Sequence, residues 1–410
     1  MKECIVFIMT PFLSHIIPTY KLARHFQKRG YQVLYVSTKK LEEEITGNGF
    51  TFQDSFVVSE DRSVLKTKEL IRYILEKYSP KICLVELSFW NWALFLSGMK
   101  QKFLLIQTWP CCNKAPYLLP TGYRATPKRN LFTFVKNELS WRKQNKANRQ
   151  LFNSGDLNGH YTDVVKNAGL DPSVSYITME NRISHFKILN ATELVLFPAE
   201  FDFPRKADPL TRFIGPFVDT ERREGEFRWP GPGKTDSPVI FCSLGSMSSI
   251  FKNKNSFYDR VIEGFRQRQD LTLIMSVGKN NKYAGDANLP PNIHLCEYAP
   301  QLKILAKTAV FITHGGAGSV REALYFGVPM LVYPWQSRSD MYGNADRVVF
   351  HNLGQLGDIE KDSATVIMQR IDKLLHDSSI KQSSSRMKNI FREYEKREPE
   401  MIELICSAML

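Results

Sequence analysis

Phe311-Ile312-Thr313-His314-Gly315-Gly316-Ala317-Gly318-Ser319-Val320-Arg321-Glu322-Ala323-Leu324 reads as the end of an apolar strand, a glycine-rich turn and the opening of a helix. Backbone N–H groups in the first turn of a helix have no intrahelical partner and carry partial positive charge, so a turn of this kind suits a phosphate. Gly316 and Gly318 let a ligand come close to the backbone, and His314 and Ser319 add side-chain donors for a diphosphate. Glu322, one turn into the helix, can accept from ribose hydroxyls. Ser319-Val-Arg-Glu322 also fits the S-x-x-E capping box, which only starts a helix, and at the level of sequence both readings stand. A nicotinamide dehydrogenase is the rival nucleotide binder. Its G-x-G-x-x-G would begin at Gly316 and put Arg321 where the third glycine belongs, after a late strand and not the first of a domain.

Around this stretch the second half of the chain alternates strands and helical segments, with strands expected at 239–244, 271–277, 293–298, 310–313 and 330–333. The first half begins the same way. A strand over 4–9 is followed by a helical pattern from Pro18 with Tyr20, Leu22, Ala23 and Phe26 on one face and Gly30 as its stop, then by a strand over 32–37. That is a βαβ unit, whose parallel strands belong in a doubly wound sheet, and apolar runs at 82–87, 103–108 and 194–197 extend it. Between 113 and 184 the strand rhythm gives way to an inserted helical layer in which Arg124, Lys128, Arg129, Lys136, Arg142 and Lys143 interleave with Phe132, Phe134 and Trp141. Residues 218–238 are charged and rich in Gly and Pro, including Trp229-Pro-Gly-Pro-Gly233, and mark a linker. The expected fold is α/β, with two doubly wound Rossmann-like domains facing each other across a cleft. They take residues 1–217 and 239–390, and a helix within 391–410 packs back on the first.

Bulk properties agree with two globular domains: 410 residues, 43% apolar and 24% charged. The formal net charge of +13 admits nucleic acid, anionic lipid or a phosphorylated small ligand and does not choose among them. Seven cysteines, mostly in apolar runs and without a CxxC pair, point to reduced thiols, to a cytoplasmic setting and away from zinc. The apolar run at 4–9 is too short for a signal peptide, and no run of about 18 apolar residues suggests a spanning helix. HExxH, GxxxxGK[ST] and GxSxG are absent.

Tyr298-Ala-Pro300-Gln301, then His314-Gly-Gly-Ala-Gly-Ser319-Val-Arg-Glu322-Ala-Leu-Tyr-Phe-Gly327-Val-Pro329, then Asp340 with Asn344-Ala345, resembles the donor-binding signature of family 1 (UDP-glycosyltransferase-type) glycosyltransferases of the bacterial macrolide-glycosyltransferase-like kind. The match runs in order across about fifty residues and implies a GT-B fold. It implies that Tyr298, where the family usually has tryptophan, is a platform for the nucleobase, and that Gln301 lies near base or ribose. It further implies that His314, Ser319 and the Ser246 of Ser243-Leu-Gly245-Ser246 face the diphosphate, that Glu322 holds the ribose and that Asp340 grips hydroxyls of the donor sugar. Met341 stands where the family commonly has glutamine, and the 334–340 loop looks longer than usual, so glucose is only the default sugar.

Thr10-Pro-Phe-Leu-Ser14-His15-Ile-Ile-Pro18 resembles the family's first loop, which carries a histidine base, with Ser14 in place of the usual glycine. A hydroxyl is a poor nucleophile until its proton is being removed, and a histidine titrating near neutrality suits that task. Glu86 sits at a strand end where the family shows aspartate, and a carboxylate there would fix the tautomer of His15. Phe89, Trp90 and Trp92 follow and offer aromatic surface to an acceptor. The resemblance implies a metal-independent, inverting hexosyltransferase with a UDP-sugar as co-substrate and no further cofactor. Its acceptor is a small, largely apolar hydroxyl compound.

Two other classes stay open: a sugar-nucleotide 2-epimerase-like enzyme, which needs no acceptor, and a non-catalytic nucleotide-binding accessory subunit. The segment 131–143 reads either as an interfacial helix in peripheral contact with a membrane or, the favoured reading, as one wall of the acceptor pocket with a solvated basic face. Nucleic acid is not an expected partner, since no recognised module accompanies the charge. Oligomeric state has no signature in the sequence.

Overall fold

The computed structural model describes residues 2–55, 63–116, 119–120, 130–183, 185–227, 229, 237–279, 283, 289–336 and 340–409. The chain divides into two compact units. One comprises Met1–Pro120, Arg129–Arg222 and Tyr394–Leu410, and the other includes Arg223–Glu393. The linker expected at 218–238 lies outside the described residues at 228 and 230–236, as do Arg124, Lys128 and Arg129 of the basic segment.

In the first unit the strands are β1 (Cys4–Ile8), β2 (Gln32–Ser37), β3 (Thr51–Asp54), β4 (Pro80–Glu86), β5 (Phe103–Gln107), β6 (Ile177–Thr178), β7 (Lys187–Ile188), β8 (Glu193–Val195) and β9 (Thr211–Phe213). Seven of them form one sheet in the order β3-β2-β1-β4-β5-β8-β9, while β6 and β7 pair as a separate antiparallel ribbon. All neighbours in the large sheet run parallel, with Ile8 opposite both Val36 and Val85. Parallel strands covered on both faces read as continuous apolar runs, and all five residues of β1 are buried. The helix Tyr20–Lys28 buries Tyr20, Leu22, Ala23 and Phe26 against this sheet, as its spacing predicts.

The carboxy-terminal helix Glu398–Ser407 belongs to the same body. Its Met401, Ile402 and Ile405 join the core of β1 and β4, and its Glu398 binds Lys21 and His25. The inserted layer consists of the helices Leu131–Asn153 and Gly155–Ala168.

The second unit holds β10 (Val239–Ser243), β11 (Thr272–Ser276), β12 (Ile293–Cys296), β13 (Thr308–Thr313), β14 (Met330–Val332) and β15 (Gly354–Leu356), all parallel, in the order β12-β11-β10-β13-β14-β15. Five strands lie beyond expectation: β6 and β7 make the small ribbon, with β6 inside the segment read as helical, and β3, β9 and β15 lie at sheet margins where burial on two faces is not required, their sequences correspondingly half polar. Each large sheet starts with a central strand, runs outward to one edge and then crosses back to the other side. Ligands of doubly wound sheets sit beyond the carboxyl ends of the two strands flanking that reversal, because the crossovers leave in opposite directions there. In the first unit those strands are β1 and β4; in the second they are β10 and β13.

The insertion is docked tightly: a Cβ built on Gly98, the last residue of the helix Trp90–Gly98, would stand 1.9 Å from the carbonyl oxygen of Ala168. That oxygen is backbone at the end of a helix and has little room to move. Gly98→Ala should therefore lower the thermal unfolding midpoint, with an overpacking cost of about 1–3 kcal/mol. Unfolding of the variant at the wild-type midpoint would show that the two helices are not in this contact.

Candidate active site

The loop leaving β1 and the end of β4 meet at one carboxylate. Glu86 is the last residue of β4 and fully buried. Its Oε2 accepts from the backbone N–H of Thr10 at 2.7 Å, and its Oε1 lies 2.5 Å from Nδ1 of His15. Thr10 also bonds Ser88 through its hydroxyl. An ionised carboxylate only accepts, so the bond assigns the proton of a neutral His15 to Nδ1 and leaves the lone pair on Nε2. His15 itself sits in the short helix Leu13–Ile16 with its side chain 27% exposed, buried at one edge and reachable at the other. The pair expected from sequence is thus formed, and the extra methylene of glutamate does not prevent it.

Three further residues stand around this imidazole without having been singled out as site residues in the sequence: Phe12, at a ring-centroid distance of 5.8 Å, Trp109 and His185. Trp109, two residues past β5, meets the His15 ring edge-on at a centroid distance of 5.4 Å, and its own Nε1 is held by Cys112 Sγ at 2.8 Å. His185 packs on Trp109 at a ring-centroid distance of 5.0 Å, in a left-handed backbone conformation with φ of 61°. Burial pushes the His185 imidazole down to about 4, helped by the nearby Arg182 charge, so this ring is neutral at physiological pH. The signal for Trp109 was its place just beyond a strand next to β4; a lone histidine in a loop offered none.

The aromatic residues after β4 divide. Phe89 and Trp90 are half-buried, whereas Trp92 is buried in the core and offers no surface to a ligand, which corrects its expected place in the acceptor pocket. The reason is helical geometry: in Trp90–Gly98, Trp92 begins the continuously buried run 92–96. Trp90 packs on His160 and Phe186, and so ties the strand-end helix to the insertion.

In the second unit the turn after β13 closes around His314. Gly245 and Gly316 both press on its ring, so that a Cβ on either would fall 2.4 Å from an imidazole atom, and Gly245 needs its φ of +82°. Desolvation lowers the His314 pKa to about 4 despite the opposing pull of Asp340 and a bond to the backbone of Ser243. The ring is neutral, and its buried Nδ1 has no hydrogen-bond partner among the described residues. Ser246 follows Gly245 in an exposed turn.

The helix opening there spans Ala317–Phe326 with Gly316 as its N-cap, so Ser319 is the third helical residue and makes no cap bond. This removes the capping-box reading, which needs Ser319 before the first turn. The anion at the helix start is instead Asp340: its Oδ2 accepts from the N–H of Ala317 at 3.0 Å and from Asn344 Nδ2 at 2.8 Å, while Asn344 also donates to the Gly315 carbonyl at 2.7 Å. Gly318 has open space above it. A negative group at this position is favoured by the helix dipole, and a carboxylate holds the place that the chemistry of the turn offers to a phosphate.

Glu322 is buried and bonds Gln301 Nε2 at 2.7 Å, which brings together two of the expected ribose-side residues. Tyr298 is 63% exposed and lines a cavity of about 600 Å³ with Phe227, Tyr283, Pro290 and Pro291. Part of the 334–340 loop, residues 337–339, lies outside the described residues.

Comparison with known proteins shows what the chain is similar to. Residues 267–405 match the family described as erythromycin biosynthesis protein CIII-like, C-terminal domain. The protein named uncharacterized UDP-glucosyltransferase YojK of Bacillus subtilis (strain 168) is 31% identical over 167 residues, 41% of this chain and 39% of its own length. The NDP-glycosyltransferase YjiC of Bacillus licheniformis is 25% identical over 376 residues, 88% of this chain and 87% of its own. Thus the chain spans well under half of the first relative and most of the second. Among solved structures, the glycotransferase of kitacinnamycin superposes with a TM-score of 0.76 over 100% of both chains at 20% identity. The chain therefore takes the GT-B fold, carries an EryCIII-like carboxy-terminal domain and bears out the resemblance, read from its sequence, to the family 1 (UDP-glycosyltransferase-type) glycosyltransferases.

Proposed function

We propose that this chain is an inverting glycosyltransferase that moves a sugar, by default glucose from UDP-glucose, onto a hydroxyl of a small, largely apolar acceptor. The observation that carries the reading is the His15–Glu86 pair beyond β1 and β4, a base whose tautomer is fixed by a buried carboxylate. In the reaction the acceptor oxygen forms a bond to the anomeric carbon on the face opposite the diphosphate. The bond from that carbon to the phosphate oxygen breaks, the acceptor proton passes to His15 Nε2, and the nucleoside diphosphate leaves. A single displacement inverts the anomeric centre. Glu86 stabilises the imidazolium that forms, as the acidic partner does in triads generally.

Negative charge develops on the leaving diphosphate. The N–H groups at the start of Ala317–Phe326, the neutral His314 ring and Ser319 can receive it, in the role that a divalent ion has in other transferases. In this reading Asp340 exchanges its bond to Ala317 for a hydroxyl of the donor sugar, and Glu322 with Gln301 takes the ribose. Among the described residues no group of three or more His, Cys, Asp or Glu side chains is arranged to hold a metal ion.

His15→Ala should lower turnover by about 10²–10⁴, the contribution of general-base catalysis, with donor affinity nearly unchanged. Glu86→Gln should lose less, and the product should show inverted anomeric configuration by proton NMR. Retained configuration, or near-normal turnover in His15→Ala, overturns the mechanism. UDP should raise the melting temperature of the wild type by mass action. Glu322→Gln should weaken UDP binding measured by calorimetry while its own melting temperature stays close to the wild type; a variant that is less stable yet binds UDP normally assigns Glu322 to the fold alone. Turnover should survive exhaustive treatment with EDTA, and a loss restored by added magnesium contradicts the proposed role of the helix start.

A further inference from the structure

The helix Leu131–Asn153 is turned the wrong way round for a helix of a globular protein. Amphipathic helices bury their apolar stripe and leave polar residues outside. Here the buried positions are Asn137, Trp141 and Asn148, and both asparagines are held by hydrogen bonds, to the carbonyls of Pro116 and Met179. On the opposite side, Leu131, Val135 and Leu139 recur every four residues with Phe132 beside them. Leu131 and Phe132 are 77% and 78% exposed, and Leu139 is 58% exposed. With 3.6 residues per turn the same face continues through Arg142, Lys143 and Lys146, all exposed. The helix has one acidic residue, Glu138, and Lys114 engages it at 2.7 Å.

We infer that this face is a docking surface for an anionic lipid bilayer, with the Leu131–Leu139 side chains entering the headgroup boundary and the cations beyond them resting on lipid phosphates. The arrangement offers an anionic surface two attractive features, an apolar patch containing an aromatic ring over the first turns and adjacent cations with no exposed acid on the helix to oppose them. The net charge of +13 works in the same direction. No helix among the described residues is long and apolar enough to cross a membrane, so the contact is peripheral. Scattered exposed apolar residues need no explanation, but four on one stripe, opposite a buried face in which two of three residues are asparagines, do. Taken with the proposed transfer reaction, the surface would bring the chain to where apolar hydroxyl compounds partition.

The test is flotation of the purified full chain with vesicles of mixed phosphatidylglycerol and phosphatidylcholine, and with phosphatidylcholine alone, at low and raised salt. It needs neither donor nor acceptor, so its failure leaves the transferase reading untouched. The wild type should float with the anionic vesicles and be released by salt. Phe132→Ala/Leu139→Ala and Arg142→Glu/Lys143→Glu, both at exposed positions, should each weaken partitioning by about tenfold or more while circular dichroism stays unchanged. The inference is overturned if the wild type floats with neither vesicle. It is equally overturned if both variants partition like the wild type, or if sedimentation shows a dimer that Phe132→Ala/Leu139→Ala dissociates, which would assign the face to a second copy of the chain.

Discussion

A carboxylate buried at the end of a parallel strand sets the arrangement of the candidate site in the first unit. Leaving Glu86 ionised without partners would cost several kcal/mol, so the chain around it must supply donors. The backbone of Thr10 and the imidazole of His15 do so, and they come from the loop of the neighbouring strand because β1 and β4 are in register at Ile8 and Val85. Position of the loop, orientation of the ring and choice of its tautomer therefore follow from one electrostatic requirement. Trp109 packs on that ring and His185 on Trp109, and the neutrality of His185 keeps its charge away from the pair.

The second unit solves a related problem with the same topology. Beyond β10 and β13 the group to be accommodated is an imidazole and not a carboxylate, and glycines at 245 and 316 make the space for it. Desolvation then holds His314 neutral, so that the turn carries the ring without the cost of a buried charge. Asn344 braces the turn through the Gly315 carbonyl and at the same time holds Asp340 over the helix start. The N-terminal end of the helix dipole thus has an anionic partner in Asp340.

Much of this was legible in the sequence where burial on two faces leaves a continuous apolar run, as in Cys4–Ile8 and Val239–Ser243. It was not legible at the margins: Thr51–Asp54 and Gly354–Leu356 need no second apolar face, and their pattern resembles loop. The motif residues were found because glycine, histidine and acid in fixed order imply a turn that must approach a ligand. What the motif could not reveal was the helix phase. Whether Ser319 caps the helix depends on where the first turn begins, and whether Trp92 faces out depends on how Trp90–Gly98 is rotated; tertiary packing decides both. Trp109 and His185 were missed for the opposite reason, since their neighbour His15 is distant in sequence and only the strand order brings them together.

The central claim is that the chain joins a sugar to an acceptor oxygen by way of His15. Its most direct test is mass spectrometry of both products when the wild-type chain is given a panel of nucleotide sugars with phenolic, terpenoid and lipid alcohols. The account predicts an acceptor heavier by one sugar residue, in one-to-one amount with released nucleoside diphosphate and dependent on the acceptor being present. Turnover of the nucleotide sugar without acceptor, leaving every alcohol at its original mass, would contradict it.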